Sequence, residues 1–562
     1  MASEVHEESS KLDRSQPCDQ QGLRWSGRLA GGIRADIARR LPWYISDWTD
    51  GFAGGMLTIT ATLFMFFGCL APGIAFGSYL DQHTDGQIGV VEYLITQSLG
   101  GIVFALISGQ PLIMLRPTGP ITVFLSQLYS MCDSMNLSFL AVQAWVGIFV
   151  GSYMIIIAIA DGCTLIKHVT KFTCELFGVF VSSIFITLGI TNIVEKFTEK
   201  QDSYSSTHQF ILTMITLYFA LRLASFDKSI FLFKTARNAI AAFAVPVAII
   251  TLTLFSKLFT VELEPLPVPE KFEPTLMGRS WMVNICPGDS CGSSILLGAI
   301  AAVPLVLLFF IDQNVTTLMT EDSDHKLKKG SAFHYNFFLL GIFNILLPLL
   351  GCPYITGSIP HSPQFTRALA KTEIVREGGR EKTQIVKVFE NRLAPLLVNV
   401  LILVCLPIIW ELRVMPTCVI SDALFLFMGL TGLPGNDLWE RFKLLFTDTS
   451  LYPPLPHSQA DVPNSCMHIF TLVQTTCVVV LYAVSRSPIA VAFPVFLVLT
   501  IPVKLLIPKL TCGRLTDDMV AILNCETRSE VSGILSDVEV AKSPEDGKVE
   551  KVADGECVDE AK

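Results

Sequence analysis

Stretches of roughly 20 consecutive apolar residues, the length of helix that crosses a hydrocarbon core of about 30 Å, recur along positions 52–510 with short polar breaks between them. A chain built this way has few choices. Inside a bilayer every backbone N–H and C=O must be paired within the protein, so repeated apolar windows become bundled helices. Composition agrees: of 562 residues 51% are hydrophobic and 16% charged, against about 25% charged in a soluble domain. The expected class is an all-α polytopic (multi-pass) membrane protein.

The two ends read differently. Residues 1–45 form a polar, basic N-terminal segment without the apolar stretch of a signal peptide, so the first span directs insertion. Much of the net charge of −9 sits after about residue 511, at Asp517, Asp518, Glu539, Glu545, Asp546, Glu550, Asp559 and Glu560. Residues 511–562 therefore read as an acidic, disordered cytoplasmic tail. Most of the 15 cysteines lie in apolar spans as small hydrophobes, whereas Cys286 and Cys291, in an outer loop, are candidates for a disulfide. No CxxC pair, HExxH motif or catalytic pair occurs in the spans, so no metal centre, cofactor or enzymatic activity is expected.

Lys and Arg gather before the first span (Arg24, Arg28, Arg34, Arg39, Arg40), at Lys326, Lys328 and Lys329, and along 371–392. Positive charge marks the cytoplasmic side, which places both termini there and the loops at 198–208 and 261–292 outside. The spans read as 52–80, 88–108, 119–134, 139–160, 172–196, 208–224, 237–259, 293–320, 332–350, 358–370, 393–411, 416–432, 467–484 and 488–510. The third and tenth are too short to cross alone, and each follows Gly/Pro-punctuated chain, Gly109–Pro120 and Gly351–Pro360. Each is third in a half of seven, and an odd number of spans inverts one half relative to the other. Interrupted segments in matching positions mark a transporter's substrate site, because half-helices aim unpaired N–H groups and positive dipole ends at mid-membrane. Two such ends make an anion site.

Asp312 lies inside the span 293–320. A carboxylate at that depth costs about 2.5–3.5 kcal/mol even on lenient insertion scales, so it faces a cavity and binds something. Thr316 lies one helical turn on, on the same face.

Thr118-Gly-Pro-Ile-Thr-Val-Phe124, Asp312-Gln-Asn-Val-Thr-Thr317, His325-Lys-Leu-Lys-Lys-Gly330 followed by His334, and Pro267-Val-Pro-Glu-Lys-Phe272 with Trp281 resemble solute carrier family 4, the bicarbonate transporters, over about 38–510. The resemblance implies fourteen segments as 7+7 inverted repeats with half-helices at segments 3 and 10. It also implies a core (about 52–160 and 293–411) and a gate (about 172–259 and 416–510) within a membrane domain of 46–510. Elevator-type transport and a homodimer formed through the gate follow from the same likeness, and the plasma membrane is the default location. Trp43–Gly51 and Ile359-Pro-His-Ser-Pro363 look like the plant and fungal borate exporters. The segments from Thr118 and from Asp312 look like sodium-coupled bicarbonate carriers. Where animal chloride/bicarbonate exchangers carry an Arg near the start of segment ten, this chain has His361, which weakens chloride exchange.

On this reading the substrate is bicarbonate or carbonate, with borate as the alternative; no nucleic-acid partner is expected. Thr118, Gly119, Pro120 and Ile121 in one half-helix and Gly357, Ser358, Ile359 and His361 in the other form the anion site. The Thr118 and Ser358 hydroxyls are adjustable donors, Phe66 and Phe67 an apolar wall, and Arg116 a source of positive potential unless it pairs with Asp161, Glu175 or a backbone carbonyl. His361 can donate to the substrate or carry a pH response. Asp312, with Thr316 as a second oxygen ligand, binds Na⁺ or takes a proton. Either neutralises a charge that repels the anion, so the two ligands assist each other reciprocally. Glu92 and Lys504, near span ends, read as snorkelling side chains.

Overall fold

Apolar helices dominate the computed structural model, which describes residues 22–198, 203–259, 261, 263–269, 272–377, 380–452, 462–487, 489–510 and 516–523. Two N-terminal helices, α1 (Gly31–Arg40) and α2 (Tyr44–Ala53), lead into α3 (Met56–His83) and α4 (Val90–Ile107). After strand β1 (Leu115–Arg116) come α5 (Gly119–Ser134), α6 (Phe139–Ile159), α7 (Lys171–Thr198), α8 (Ser203–Ala224), α9 (Lys234–Ala242) and α10 (Ala244–Ser256). The next part holds α11 (Cys291–Thr320), α12 (Phe333–Leu349), β2 (Thr356–Gly357), α13 (His361–Ala368), β3 (Ala370–Glu377), β4 (Arg380–Val388) and α14 (Leu393–Cys405). The last contains α15 (Ala423–Gly432), α16 (Asp437–Leu444), α17 (Asn464–Ser485), α18 (Phe493–Leu510) and α19 (Asp517–Leu523). Among the described residues 7 helices are long and apolar enough to cross a bilayer, or up to 9 with the bent pairs α9–α10 (69°) and Cys418–Gly432 with α16 (76°).

The all-α expectation fails at two places. β1 and β2 pair antiparallel, Leu115 with Gly357 and Arg116 with Thr356. The stretch read as a basic cytoplasmic loop is an antiparallel hairpin of β3 and β4, built on β-branched Thr372, Ile374, Val375, Thr383, Ile385, Val386 and Val388. Within the tail read as disordered, Asp517–Leu523 is helical; 511–515 and 524–562, like 1–21, lie outside the described residues.

Close backbone contact ties the central helices together. Gly147 and Gly151 of α6 lie against Asn344 and Gly341 of α12 with no room for a Cβ, the small-residue packing that lets membrane helices approach. Beside the N-terminal helices a buried ion network does the joining. Arg392 pairs with Asp47 at 3.1 Å, Lys329 with Asp47 at 2.8 Å and Asp50 at 2.7 Å, and Arg40 with Glu390 at 3.3 Å. Arg392 also donates to the carbonyls of Ala105 (3.0 Å) and Ser108 (2.6 Å), a cation placed at the negative end of α4. The N-terminal helices are thereby fastened to α4, α14 and the loop after α11.

Chain contacts divide the protein into two units, Met1–Glu440 with Gln474–Pro502 and Arg441–Val473 with Val503–Lys562. In the second, Tyr452 Oη meets His468 Nε2 at 3.1 Å and the Arg441 guanidinium lies 5.4 Å from the Phe470 ring centre. The features below belong to the first.

Glu92 does not snorkel. Its side chain is fully buried, caps α4 by accepting from Gly89 N (2.9 Å), and accepts from Thr275 N (2.9 Å) and Arg279 Nη2 (2.9 Å) of the loop before α11. Cys286 and Cys291 of that loop are joined as a disulfide. Removing one partner of a buried pair strands the other charge, at about 3–5 kcal/mol. Glu92→Ala should therefore lower the melting temperature of the detergent-solubilised protein sharply. Glu92→Gln combined with Arg279→Gln should recover part of the loss; equal melting of wild type and Glu92→Ala would show that the pair carries no stability.

Candidate functional site

Two unwound stretches cross each other inside the helix bundle, and side-chain amides hold both. Along Gly351–Ser358, Asn344 accepts from Ile355 N (2.9 Å) and donates to Ile355 O (2.9 Å), while Gln143 Nε2 donates to Cys352 O (2.8 Å). Along Gly109–Arg116, Asn336 Oδ1 accepts from Gly109 N at 2.8 Å and Ser362 Oγ from Met114 N at 3.0 Å. The stretches then hold each other, Ser358 N donating to Met114 O at 2.9 Å beside the β1–β2 bridge. Non-helical backbone survives at membrane depth only when satisfied in this way.

Each stretch feeds a short helix, α5 of 16 residues and α13 of 8. Thr122 N is already bonded to Thr118 O, Ser362 N to Ser358 O, and Gly357 N to Gln313 Oε1 at 2.9 Å. The expected donor set is thus narrower than the sequence implied. Pro120 and Pro360 lack an N–H, which leaves Gly119, Ile121, Ile359 and His361 as the helix-start donors without an intrahelical partner.

Arg116 is buried and faces this region. It pairs with neither Asp161 nor Glu175. Asp161 instead accepts from Ser26 and from Gly32 N, and Glu175 from Gln474 Nε2. The guanidinium contacts Pro117 O (3.4 Å), Tyr93 Oη (3.5 Å) and His361 Nε2 (3.1 Å), and lies 5.8 Å from the centre of the Phe76 ring. No carboxylate neutralises it among the described residues. His361 Nδ1 meets Ser358 Oγ at 2.8 Å, and its Nε2 also lies 3.1 Å from Gly68 O. A ring nitrogen cannot both accept from Arg116 and donate to Gly68 O, so the tautomer decides which contact is a hydrogen bond.

Asp312 is buried on α11, with Oδ1 lacking a hydrogen-bond partner and no cation within ion-pairing distance among the described residues. Thr118 is the polar side chain that approaches its carboxyl, and Thr118 Oγ1 is likewise unpartnered. Gln97, whose amide oxygen and nitrogen are both unpartnered, and Gln313 Nε2 add to these unmatched polar groups. Thr316 donates its hydroxyl to Asp312 O at 2.6 Å, so only an oxygen lone pair is left for a cation.

The structure brings Thr118, Gly119, Pro120, Ile121, Arg116, Gly357, Ser358, Ile359 and His361 to one junction, with Asp312 at its edge. Phe66 and Phe67 do something else: they pack edge-on to each other at 4.9 Å, and Phe67 meets Phe243 at the α9–α10 bend at 5.9 Å. The aromatic wall beside Arg116 is Phe76, tilted against Phe185 (5.6 Å) and Phe425 (5.5 Å). Sequence reading missed Phe76, Tyr93 and Gln97, which sit in long apolar helices with no local signal. Gln313 had one, as a second polar residue beside Asp312 in a span.

A family profile described as the HCO3- transporter integral membrane domain matches residues 28–209 and 203–515. The chain belongs to the bicarbonate transporter family, solute carrier family 4. Relatives within this transporter family include the Band 3 anion transport protein of Rattus norvegicus, 31% identical over 86% of this chain and 54% of that one. Human solute carrier family 4 member 11 is 30% identical over 87% of this chain and 62% of its own length. The chain thus spans about half the length of the curated relatives it matches. Among solved structures, the transmembrane domain of the cyanobacterial bicarbonate transporter BicA aligns with a TM-score of 0.53 at 14% identity, over 77% of this chain and 97% of that chain. SLC26A9 aligns with a TM-score of 0.54 at 13% identity, over 84% and 69%. At such identities the likeness concerns the fold, a mostly helical membrane transporter architecture.

Gly119, the first residue of α5, is pressed against the Phe185 ring of α7 with no space for a Cβ. Gly119→Val should therefore lower transport at least tenfold while the protein still reaches the membrane. Adding Phe185→Ala should restore part of the rate; no rescue would show that the contact is not the limiting feature.

Proposed function

We propose that the protein is a secondary active transporter of a small inorganic oxyanion, bicarbonate or carbonate, coupled to Na⁺ through Asp312. The observation that carries this reading is a pair of buried charges uncompensated among the described residues, beside one junction of half-helices: Arg116 without a carboxylate and Asp312 without a cation. Either charge alone in a low-dielectric interior is costly, and two ligands of opposite sign relieve both. The anion is held by Arg116 and the N–H groups of Gly119, Ile121, Ile359 and His361, with Thr118 and Ser358 hydroxyls adjusting to its protonation state. A Na⁺ at Asp312, with Thr118 and Thr316 supplying oxygen, cancels the carboxylate's repulsion, so each ion raises the affinity for the other.

On this proposal the chain forms fourteen segments as two inverted repeats, and a core bearing the junction slides past a gate that includes α7–α10 and α15. The Gly119–Phe185 and Phe67–Phe243 contacts lie along that sliding surface. A homodimer through the gate, in the plasma membrane with both termini cytoplasmic, completes the reading.

Chloride/bicarbonate exchange is the second reading, and one observation favours it. His361 stands where the exchangers carry an arginine, yet the β1–β2 register sets Arg116 against Thr356, so a guanidinium reaches the start of α13 from the facing strand. The Band 3 relatives point the same way. Borate efflux is the third outcome that the experiment separates.

Reconstituted in liposomes, the wild type should take up labelled bicarbonate in a Na⁺-dependent manner. Asp312→Asn should abolish the Na⁺ dependence with the protein intact. Chloride-driven uptake indifferent to Na⁺ would establish exchange instead, and borate flux without bicarbonate flux would overturn both. Arg116→Gln should raise the anion KM about tenfold to a hundredfold, the worth of a charge-assisted hydrogen bond of roughly 1.5–3 kcal/mol; an unchanged KM would remove Arg116 from the site.

A further inference from the structure

Between α8 and α9 the chain turns through Phe226–Lys228 and on to Phe233. Counting passages from α7, the turn lies on the face of Lys171 and the N-terminal helices. Four consecutive apolar side chains stand out from it: Ile230 is 88% exposed, Phe231 69%, Leu232 57% and Phe233 71%. The turn is firmly built. Ser229 N bonds to Phe226 O (3.0 Å), Phe231 N to Ser229 Oγ (3.1 Å), Arg237 N to Phe233 O (3.1 Å), and the Arg237 guanidinium to Ser229 O. Leu232 adopts φ 63°, a left-handed conformation that is an outlier for a bulky residue and persists only where its surroundings hold it.

Cations flank this apolar tip along the chain. Arg222, Lys228 and Lys234 are exposed and, among the described residues, pair with no carboxylate; Asp227 is the sole acid from 222 to 237. An apolar edge flanked by free cations matches the boundary between acyl chains and anionic headgroups. A second copy of the chain fits poorly, because a two-fold contact would set these like charges against each other.

From this geometry we infer that the α8–α9 turn docks on anionic phospholipid headgroups of the leaflet on that face, with Ile230–Phe233 inserted beneath Arg222, Lys228 and Lys234. The inference is independent of the substrate reading.

The test is native mass spectrometry of the full chain in detergent, with phosphatidylserine or phosphatidylcholine added. Wild type should retain phosphatidylserine preferentially, and high salt should weaken that preference. A cation near an anionic surface is worth about fivefold, so R222Q/K228Q/K234Q should lower the preference on the order of a hundredfold with unchanged melting. Phe231→Ser should weaken retention of both lipids alike. Equal retention of the two lipids by wild type, or an undiminished preference in the triple variant, would overturn the inference. So would a shift from dimer to monomer in the triple variant with lipid preference intact, which would make the turn a subunit contact.

Discussion

The need to satisfy backbone polar groups at membrane depth underlies everything else in this protein. Two stretches of chain leave the helical state inside the bundle, and their N–H and C=O groups find partners in Asn344, Gln143, Asn336, Gln313 and Ser362, or in each other. In water such contacts would compete with solvent and be worth little. In the bilayer the alternative is an unpaired group costing several kcal/mol. The amides therefore fix the two stretches in one register, and that register decides what meets at the junction.

Charge is used in two opposite ways in the same bundle. Beside the N-terminal helices Arg40, Asp47, Lys329, Glu390 and Arg392 satisfy one another, and the network fastens helices that are far apart in sequence. Glu92 and Arg279 do the same for the loop before α11. Asp312 and Arg116, equally buried, are left without opposite charges among the described residues. Glu321 is also a buried carboxylate without a cation among the described residues, its Oε1 accepting from Gln110 Nε2 at 3.3 Å; what sets Arg116 and Asp312 apart is their place beside the junction of the two half-helices.

Much of this was legible in the chain. The apolar windows gave the helices, because length and hydropathy suffice to require them. Gly109–Pro120 and Gly351–Pro360 announced the breaks, since Pro lacks an N–H and Gly weakens helix. Asp312 stood out because a carboxylate in an apolar window is costly unless a ligand or a polar partner meets it. Less legible were residues whose role depends on a distant partner. Glu92 looked like a span-end residue free to reach water, and only the folded outer loop buries it. Phe66 and Phe67 were read as a wall from their place in the first span, whereas a helix rotation of two to three turns further brings Phe76 to Arg116 instead. The β3–β4 hairpin was missed because its basic residues spoke for a loop more strongly than its β-branched residues spoke for strand.

The sequence by itself determined the solvent of the protein, the rough positions of its long apolar helices, the two breaks and Asp312 as a buried carboxylate, all of which are local consequences of hydropathy and backbone chemistry. Tertiary structure alone decided that the breaks cross in antiparallel register, that Arg116 reaches the start of the opposite half-helix where His361 stands, and that neither Arg116 nor Asp312 finds a counter-charge among the described residues. Those outcomes depend on contacts between residues up to 245 positions apart, and no periodicity in a chain encodes which distant side chain will be brought within 3 or 4 Å of another.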